Sequence, residues 1–404
     1  MIVDGMVLRD EYIKRLDAHR DRKGVAKIVT GVRRCGKSVL MRQYIDHLKE
    51  SGVNEEDIVY INMESSEFNT VDDFREFGDV LDDRIPPDSH AYVFIDEIQN
   101  VSGWEKNVSS MMADHDVDIY ITGSNAYLLS SELATFISGR YVEVKMMPLS
   151  FAEYLELHPV DGDRTIDSRF NDYLRYGALP IVNPDKAAMQ DTYDLLTGIY
   201  NTVLIKDVLN RLEIRSSSTL TRITKFLMSN IGNRTNTFTI AKELELSNAT
   251  VEKYVTALEE ALLIYKAERY DVRGKRILKS NGKYYASDTG IRNAVLGSAA
   301  GGDMGRQIEN VVYLELRRRG YEVVVGSYID LEVDFTAFLG DRVEYYQVTQ
   351  TMLNEEVAER EAKSLRRVRD SFPKTILSLD RVMARPGDGI EHLNVIDWLL
   401  GERG

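Results

Sequence analysis

Cysteine is nearly absent from these 404 residues, occurring once, at position 35. That excludes an intramolecular disulfide and any zinc site built from several thiolates, and it suits a reducing compartment. Proline is sparse, with eight in all, and no tract is compositionally biased, so the chain lacks the make-up of a disordered or linker-rich protein. A run of about 18 apolar residues, the length needed to cross a bilayer, is missing. The N-terminal MIVDGMVLRDEYIKRLDAHRDRK is charged throughout, without the apolar stretch of a secretion signal. Neither membrane spanning nor secretion is expected, and the cytoplasm is the expected compartment. Cationic excess is lacking too: 65 acidic against 51 basic residues leave a formal net charge of −14, which disfavours phosphate backbones over most of the surface.

What remains is the composition of a folded protein, 43% hydrophobic and 29% charged. At roughly 100–200 residues per domain the length calls for several cores.

The strongest local signal is VAKIVTGVRRCGKSVLMRQYIDHL. A short apolar run (Ile28, Val29) leads into Gly31, Val32, Arg33, Arg34, Cys35, Gly36, Lys37 and Ser38, followed from Val39 by Leu40, Met41, Tyr44, Ile45 and Leu48 at helical spacing. Strand, loop and helix in that order, with G-x-x-x-x-G-K-[ST] in the loop, make a P-loop. The glycines turn backbone amides toward phosphate, Lys37 reaches the β- and γ-phosphates, and the Ser38 hydroxyl ligates Mg²⁺, with the helix N-terminus adding its dipole. Cys35 within the loop has two readings, a thiol activated by neighbouring amides and Lys37, or a small residue at a tolerant position.

A fully apolar run, Tyr92 to Ile95, has the character of a buried parallel strand and delivers Asp96 and Glu97 at its end. Behind a P-loop, the first carboxylate holds Mg²⁺ and the second orients or deprotonates water. The alternative is an acidic pair capping the next helix. A third apolar strand, Ile119 to Thr122, precedes Ser124 and Asn125, of which Asn125 is the first candidate for sensing the γ-phosphate and Ser124 its competitor. Arg140 reads either as an arginine finger, acting on its own or a neighbouring subunit's site, or as an ordinary surface arginine.

These elements, with Asp-Glu-Ile-Gln, Thr-Gly-Ser-Asn and Ser-Gly-Arg followed by PLSFAEY, resemble the bacterial and archaeal AAA-type ATPases that carry a C-terminal uncharacterised region. The resemblance runs over nearly the whole chain. It implies an α/β P-loop core of the AAA+ kind with a parallel sheet and flanking helices, then a winged helix, then a small α/β domain similar to the PD-(D/E)XK nucleases. ATP and Mg²⁺ are the implied cofactors, and a finger acting in trans would call for a homo-oligomer or another protein partner. The expected divisions are residues 1–150 for the ATPase, 151–214 for a helical lid, 215–296 for the winged helix and 297–404 for the nuclease-like domain.

In the middle region, SRFNDYLRYGALP reads as a helix stopped by Gly177 and Pro180, and TYDLLTGIYNTVLIKDVLNRL as a long amphipathic helix. FTIAKELELSNATVEKYVTALEEALLI gives two helices with a turn at Leu246 and Ser247, a helix-turn-helix. The alternating stretch after it forms a hairpin with Gly274 at its tip. That wing carries Lys266, Arg269, Arg273, Lys275, Arg276, Lys279 and Lys283 among four tyrosines, a surface suited to DNA phosphates, whereas Glu252, Glu259 and Glu260 make the second helix a poor reader of bases. Packing against protein is the competing role.

Toward the C-terminus a helix bearing Glu309 precedes three strands, with Asp334 in the second and Gln347 in the third. The nuclease resemblance maps Glu309, Asp334 and Gln347 onto metal-binding positions and puts Thr349 where a lysine belongs. Threonine supplies neither a cation for a phosphorane nor a base near neutral pH. Lys363 on the following helix is the candidate replacement. Nuclease activity is not expected, and the expected function is hydrolysis of Mg·ATP coupled to the C-terminal region, with a nucleotide-gated DNA-binding factor as the alternative.

Overall fold

The computed structural model describes residues 2–3, 5–86, 89–125, 137, 139–209, 217–297, 303–382 and 386–401. They form two compact units, Met1–Pro148 with Glu260–Leu262, and Leu149–Glu259 with Leu263–Gly404.

After a short N-terminal hairpin (β1, Ile2–Val3; β2, Met6–Val7), the first unit is organised by five strands: β3 Ala26–Thr30, β4 Ile58–Asn62, β5 Ala91–Asp96, β6 Val117–Gly123 and β7 Tyr141–Lys145. Every pairing among these five is parallel, in the order β4-β5-β6-β3-β7. Parallel strands need crossovers that cover both faces, which is why β3 and β5 are buried along their whole length. The helix Lys37–Glu50 buries Leu40, Met41, Tyr44 and Leu48, the apolar spacing read in the sequence. Ile28, Ile61, Val93, Ile95 and Ile121 share one core with Phe77, Trp104 and Val108 from the helices.

Away from the loop that follows β3, Lys27 and Asp118 form an ion pair with both side chains essentially excluded from solvent. Asp118 also accepts from the Tyr120 hydroxyl (2.7 Å) and from the Asp21 amide (3.0 Å). Burial pushes the Lys27 ammonium down, and Asp118 opposes it.

The second unit is built on eight strands: β8 Arg234–Thr235, β9 Ile264–Asp271, β10 Arg276–Ala286, β11 Glu322–Tyr328, β12 Leu331–Leu339, β13 Arg342–Val348, β14 Lys374–Ser378 and β15 Ile390–Asn394. Their order is β15-β14-β13-β12-β11-β9-β10-β8. The helices Thr237–Leu244 and Asn248–Glu260 stand where the helix-turn-helix was expected, and β9 and β10 form the hairpin that follows. The expected division between 296 and 297 does not divide the sheet, because β9 pairs in parallel with β11 (Val325 opposite Arg269). Alternating residues of a lone wing would have faced water; here the outer edge of β9 is consumed by a strand some 55 residues later in the chain.

One helix contact sets the rest of this unit. Helix Ile166–Tyr176 ends at Gly177 (φ 78°), and its last carbonyls are taken by the helix Thr289–Leu296. Thr289 Oγ1 donates to Tyr173 O (3.1 Å), and Asn293 Nδ2 donates to Leu174 O and Arg175 O (both 3.0 Å). Asp288 caps the second helix through Ile291 N (2.9 Å) and accepts from Ala178 N (2.7 Å). A side chain at Gly290 would meet Tyr176 O at 2.0 Å, so the approach requires glycine.

Replacing Lys27 by methionine leaves Asp118 buried without its cation and should destabilise the first unit by about 3–5 kcal/mol. Lys27→Met/Asp118→Leu should cost clearly less than the sum of the single changes in a denaturant-unfolding cycle. Additive losses would show that the pair carries no coupling.

Candidate nucleotide site

Because the sheet is parallel, β3, β5 and β6 all end at the same edge, and the residues after them meet there. The loop after β3 turns through Arg34 (φ 67°) and Gly36 (φ 106°) before the helix begins at Lys37. Gly36 satisfies a conformation closed to most side chains; Arg34 holds a left-handed backbone at a cost of about 1–2 kcal/mol, the kind of strain found at binding loops. At the loop's start, a side chain on Gly31 would strike Met146 O at 2.4 Å. Two side chains outside the motif brace the loop. Buried Arg9 donates to Cys35 O (3.3 Å) and Met147 O (2.9 Å), and Gln43 bridges Arg9 N and Val7 O.

Lys37 is buried, and its Nζ donates to Gly31 O at 3.0 Å while standing 3.6 Å from Glu97 Oε1. Val32 is buried beside it, Ser38 and Val39 are half-buried in the first helical turn, and Arg33 lies 3.6 Å from Glu64. Asp96 ends β5 with both oxygens engaged: Tyr60 donates to Oδ2 at 2.9 Å and Thr122 Oγ1 to Oδ1. Thr122 Oγ1 in turn accepts from Glu97 N at 3.0 Å, which supports the left-handed backbone of Glu97 (φ 56°). One hydroxyl on β6 thereby holds the acid that ends β5 and the one that follows it.

The Glu97 carboxylate is gripped on its other oxygen. Gln99 Nε2 and Ser124 Oγ both donate to Oε2, the latter at 3.3 Å. Burial pushes the Glu97 carboxyl up, but Lys37, Gln99, Arg33 and Ser124 together hold it below the ordinary carboxylate range, so it is ionised at neutral pH. A carboxylate only accepts, so the amide nitrogen of Gln99 must be the group that faces it. Gln99 Oε1 is then left buried without a hydrogen-bond partner.

Of the residues singled out in the sequence, Lys37, Asp96, Glu97, Ser124 and Asn125 come together at this edge, with Ser124 on the glutamate and Asn125 buried next to it. Arg140 does not join them. It is exposed and precedes β7, where its carbonyl accepts from Ala26 N at the start of β3, the far end of that strand from the loop. At about 3.3 Å per residue, the five residues of β3 separate the two ends by roughly 16 Å. Gln99, Thr122, Tyr60 and Arg9 went unrecognised because their roles depend on strands paired far apart in sequence; only Gln99, two residues after the acid pair, lay close enough to be considered.

The residues mapped onto a metal position near the C-terminus also gather, but with an unexpected member. Lys283, counted with the exposed wing, is buried, and its Nζ lies 2.8 Å from Glu309 Oε1, 2.8 Å from Glu332 Oε1 and 3.2 Å from Asp334 Oδ1. Lys363, the expected replacement for Thr349, is exposed on the helix Glu355–Arg367. Gln347 Oε1 faces Asp334 N (3.2 Å), and its Nε2 donates to Glu361 (2.7 Å). The wing patch shrinks accordingly: Arg269 donates to Ser327 (2.7 Å), and the side chain of Lys279 lies outside the described residues.

Comparison with known proteins adds the following. A family model described as an AAA domain matches residues 23–155, and one described as a domain of unknown function matches residues 167–300. The latter span runs from the helix Ile166–Tyr176 through the helix that caps it. The chain is 38% identical to an uncharacterised protein of Haemophilus influenzae over 98% of this chain and 99% of that one. It is 28% identical to an uncharacterised protein of Methanocaldococcus jannaschii over 92% and 84%. Among solved structures it is similar to the Aeropyrum pernix ORC1 protein in complex with DNA (TM-score 0.33, 12% identity, 72% of this chain and 93% of that one). It is also similar to AMPPCP-bound DnaA from Aquifex aeolicus (TM-score 0.28, 13% identity, 64% and 89%). Similarity of that degree is too slight to assign anything to this chain.

Cys35 is fully buried, and burial pushes its thiol up, so it is held as an unreactive thiol. The native chain should react with an aromatic disulfide reagent at least about a hundredfold more slowly than the guanidinium-unfolded chain. Comparable rates would show the loop open around the thiol.

Proposed function

Because the chain belongs to the same family as the Haemophilus influenzae protein and carries an AAA domain at residues 23–155, we propose that it is an ATPase that hydrolyses Mg·ATP at the loop Gly31–Ser38. The observation that carries this reading is the convergence of buried Lys37 and ionised Glu97, 3.6 Å apart, at the edge where the loop, Asp96 and Ser124 meet.

The residues fit both ligands. Lys37 and the amides of the first helical turn offer the positive end of a helix to phosphate oxygens. Ser38 and Asp96 offer a hydroxyl and a carboxylate, the hard oxygen donors that suit Mg²⁺, and Tyr60 and Thr122 hold Asp96 in place. Mg²⁺, when bound, neutralises charge that develops on the phosphoryl oxygens.

With Lys37 engaged by phosphate, Glu97 loses its ammonium neighbour and becomes the stronger base toward water. Gln99, fixed by its nitrogen to Glu97 and Ser124, holds that carboxylate in place for the water. Arg140, at the other end of β3, serves a neighbouring subunit rather than its own site, which makes turnover depend on assembly. Nucleotide state is coupled to the C-terminal unit.

Glu97→Gln should bind ATP as the wild type does and turn it over about 10²–10⁴-fold more slowly. Equal turnover would remove Glu97 from the mechanism, and loss of ATP binding would assign it to the binding loop instead.

A second reading, a nucleotide-gated DNA-binding factor, is favoured by the exposed cations Arg273, Lys275 and Arg276 at the β9–β10 turn. Removing all three should weaken a duplex-DNA shift and reduce its salt slope by about 2–3. An unchanged shift, or none with the wild type at low salt, removes this reading.

A further inference from the structure

The nuclease-like resemblance implies a divalent ion held by Glu309, Asp334 and Gln347, and the side chains do not fit it. Asp334 Oδ1 is engaged by Lys283, and its Oδ2 accepts from Val348 N at 3.0 Å. Glu309 Oε1 accepts from Lys283 and from the Tyr285 hydroxyl at 2.7 Å. The amide oxygen of Gln347 turns toward Asp334 N and Ser364 Oγ (3.3 Å), away from any shared point. Among the described residues no group of three or more His, Cys, Asp or Glu side chains is arranged to hold a metal.

One point nevertheless gathers oxygens from three carboxylates at 2.8–3.2 Å, and that point is the Lys283 nitrogen. Glu309 comes from the helix Met304–Arg318, and Glu332 and Asp334 from alternate positions on one face of β12. Lys283 comes from β10, which β11 and β9 separate from β12 in the sheet order, and Arg234 of β8 reaches the second oxygen of Glu332. Three hard oxygen donors around one centre are the ligand set of a magnesium or manganese ion. An ammonium ion brings one positive charge and three N–H donors to the same point, and the Arg234 guanidinium on Glu332 brings a second charge.

We propose that the Lys283 ammonium is the resident cation of this centre, occupying by charge and position the place of a divalent metal, so that the native chain takes up none there. The lysine is 3% exposed, and its Nζ stands within 3.2 Å of all three carboxylates. With a cation in the centre and none at position 349, the unit lacks the means for metal-dependent phosphodiester cleavage, and the cluster instead ties β10 to β12 and the Met304–Arg318 helix. The inference does not depend on the ATPase reading, since every residue in it belongs to the second unit.

The test is Mn²⁺ uptake by the nucleotide-free full-length chain, followed by the resonance of free Mn²⁺ and by thermal unfolding with and without the ion. Wild type and Asp334→Asn should bind Mn²⁺ alike. Lys283→Ala should gain one site, tighter by an order of tenfold or more, the influence of one unit charge on a neighbouring ionic equilibrium. That site should vanish in Lys283→Ala/Asp334→Asn, and Lys283→Arg, which keeps the cation, should behave as wild type. Mn²⁺ should raise the unfolding temperature of Lys283→Ala by more than that of the wild type. Uptake by the wild type that Asp334→Asn abolishes would overturn the proposal, whether or not the Lys283 variants fold. So would a folded Lys283→Ala that binds no more Mn²⁺ than wild type.

Discussion

Parallel pairing of β3, β5 and β6 is the constraint on which the nucleotide site rests. It sends three strand ends to one edge, and it lets a single hydroxyl, Thr122, bond both the Asp96 carboxylate and the Glu97 amide across neighbouring strands. Without that tie, Glu97 would have no compensation for a left-handed backbone, and the two acids would have no fixed relation to each other. Lys37 and Glu97 then balance each other's burial. Each is costly to bury alone, and together they form a charged pair.

The second unit follows the same logic with different chemistry. A buried lysine answers three carboxylates, and an aspartate at a helix start accepts from the amide of Ala178, more than one hundred residues away. Both devices join elements that the chain order keeps apart. Both also draw on residues a sequence reading assigns to solvent, because charged side chains are mostly exposed unless a partner waits for them inside. Lys283 illustrates this: in the hairpin pattern it is one more wing cation, and only the approach of β12 and the Glu309 helix removes it from the surface.

How much was legible varies with the range of the interaction. The strands around Ile28, Tyr92–Ile95 and Ile119–Thr122 appear within one or two residues of their expected limits, since fully apolar runs bounded by polar ends have few other uses. The helices Thr237–Leu244 and Asn248–Glu260 and the turn between them were likewise readable from apolar periodicity. The continuation of that hairpin into an eight-stranded sheet was not, because pairing between β9 and β11 leaves no local pattern beyond the alternation each strand already shows. Gln99 stood in plain view beside the acid pair, yet its grip on Glu97 depends on a turn conformation that composition does not encode.

By itself, the sequence determined the loop Gly31–Ser38, the acids at the end of an apolar strand, and the absence of a lysine at position 349, because glycine spacing, apolar runs and residue identity are local properties. Tertiary structure decided which charges meet. It set Arg140 at the far end of β3 from the loop, brought Arg9 beneath Cys35, and put Lys283 among Glu309, Glu332 and Asp334. Electrostatic partners are chosen by distances of a few ångströms between segments tens of residues apart, and those distances exist only once the sheets have formed.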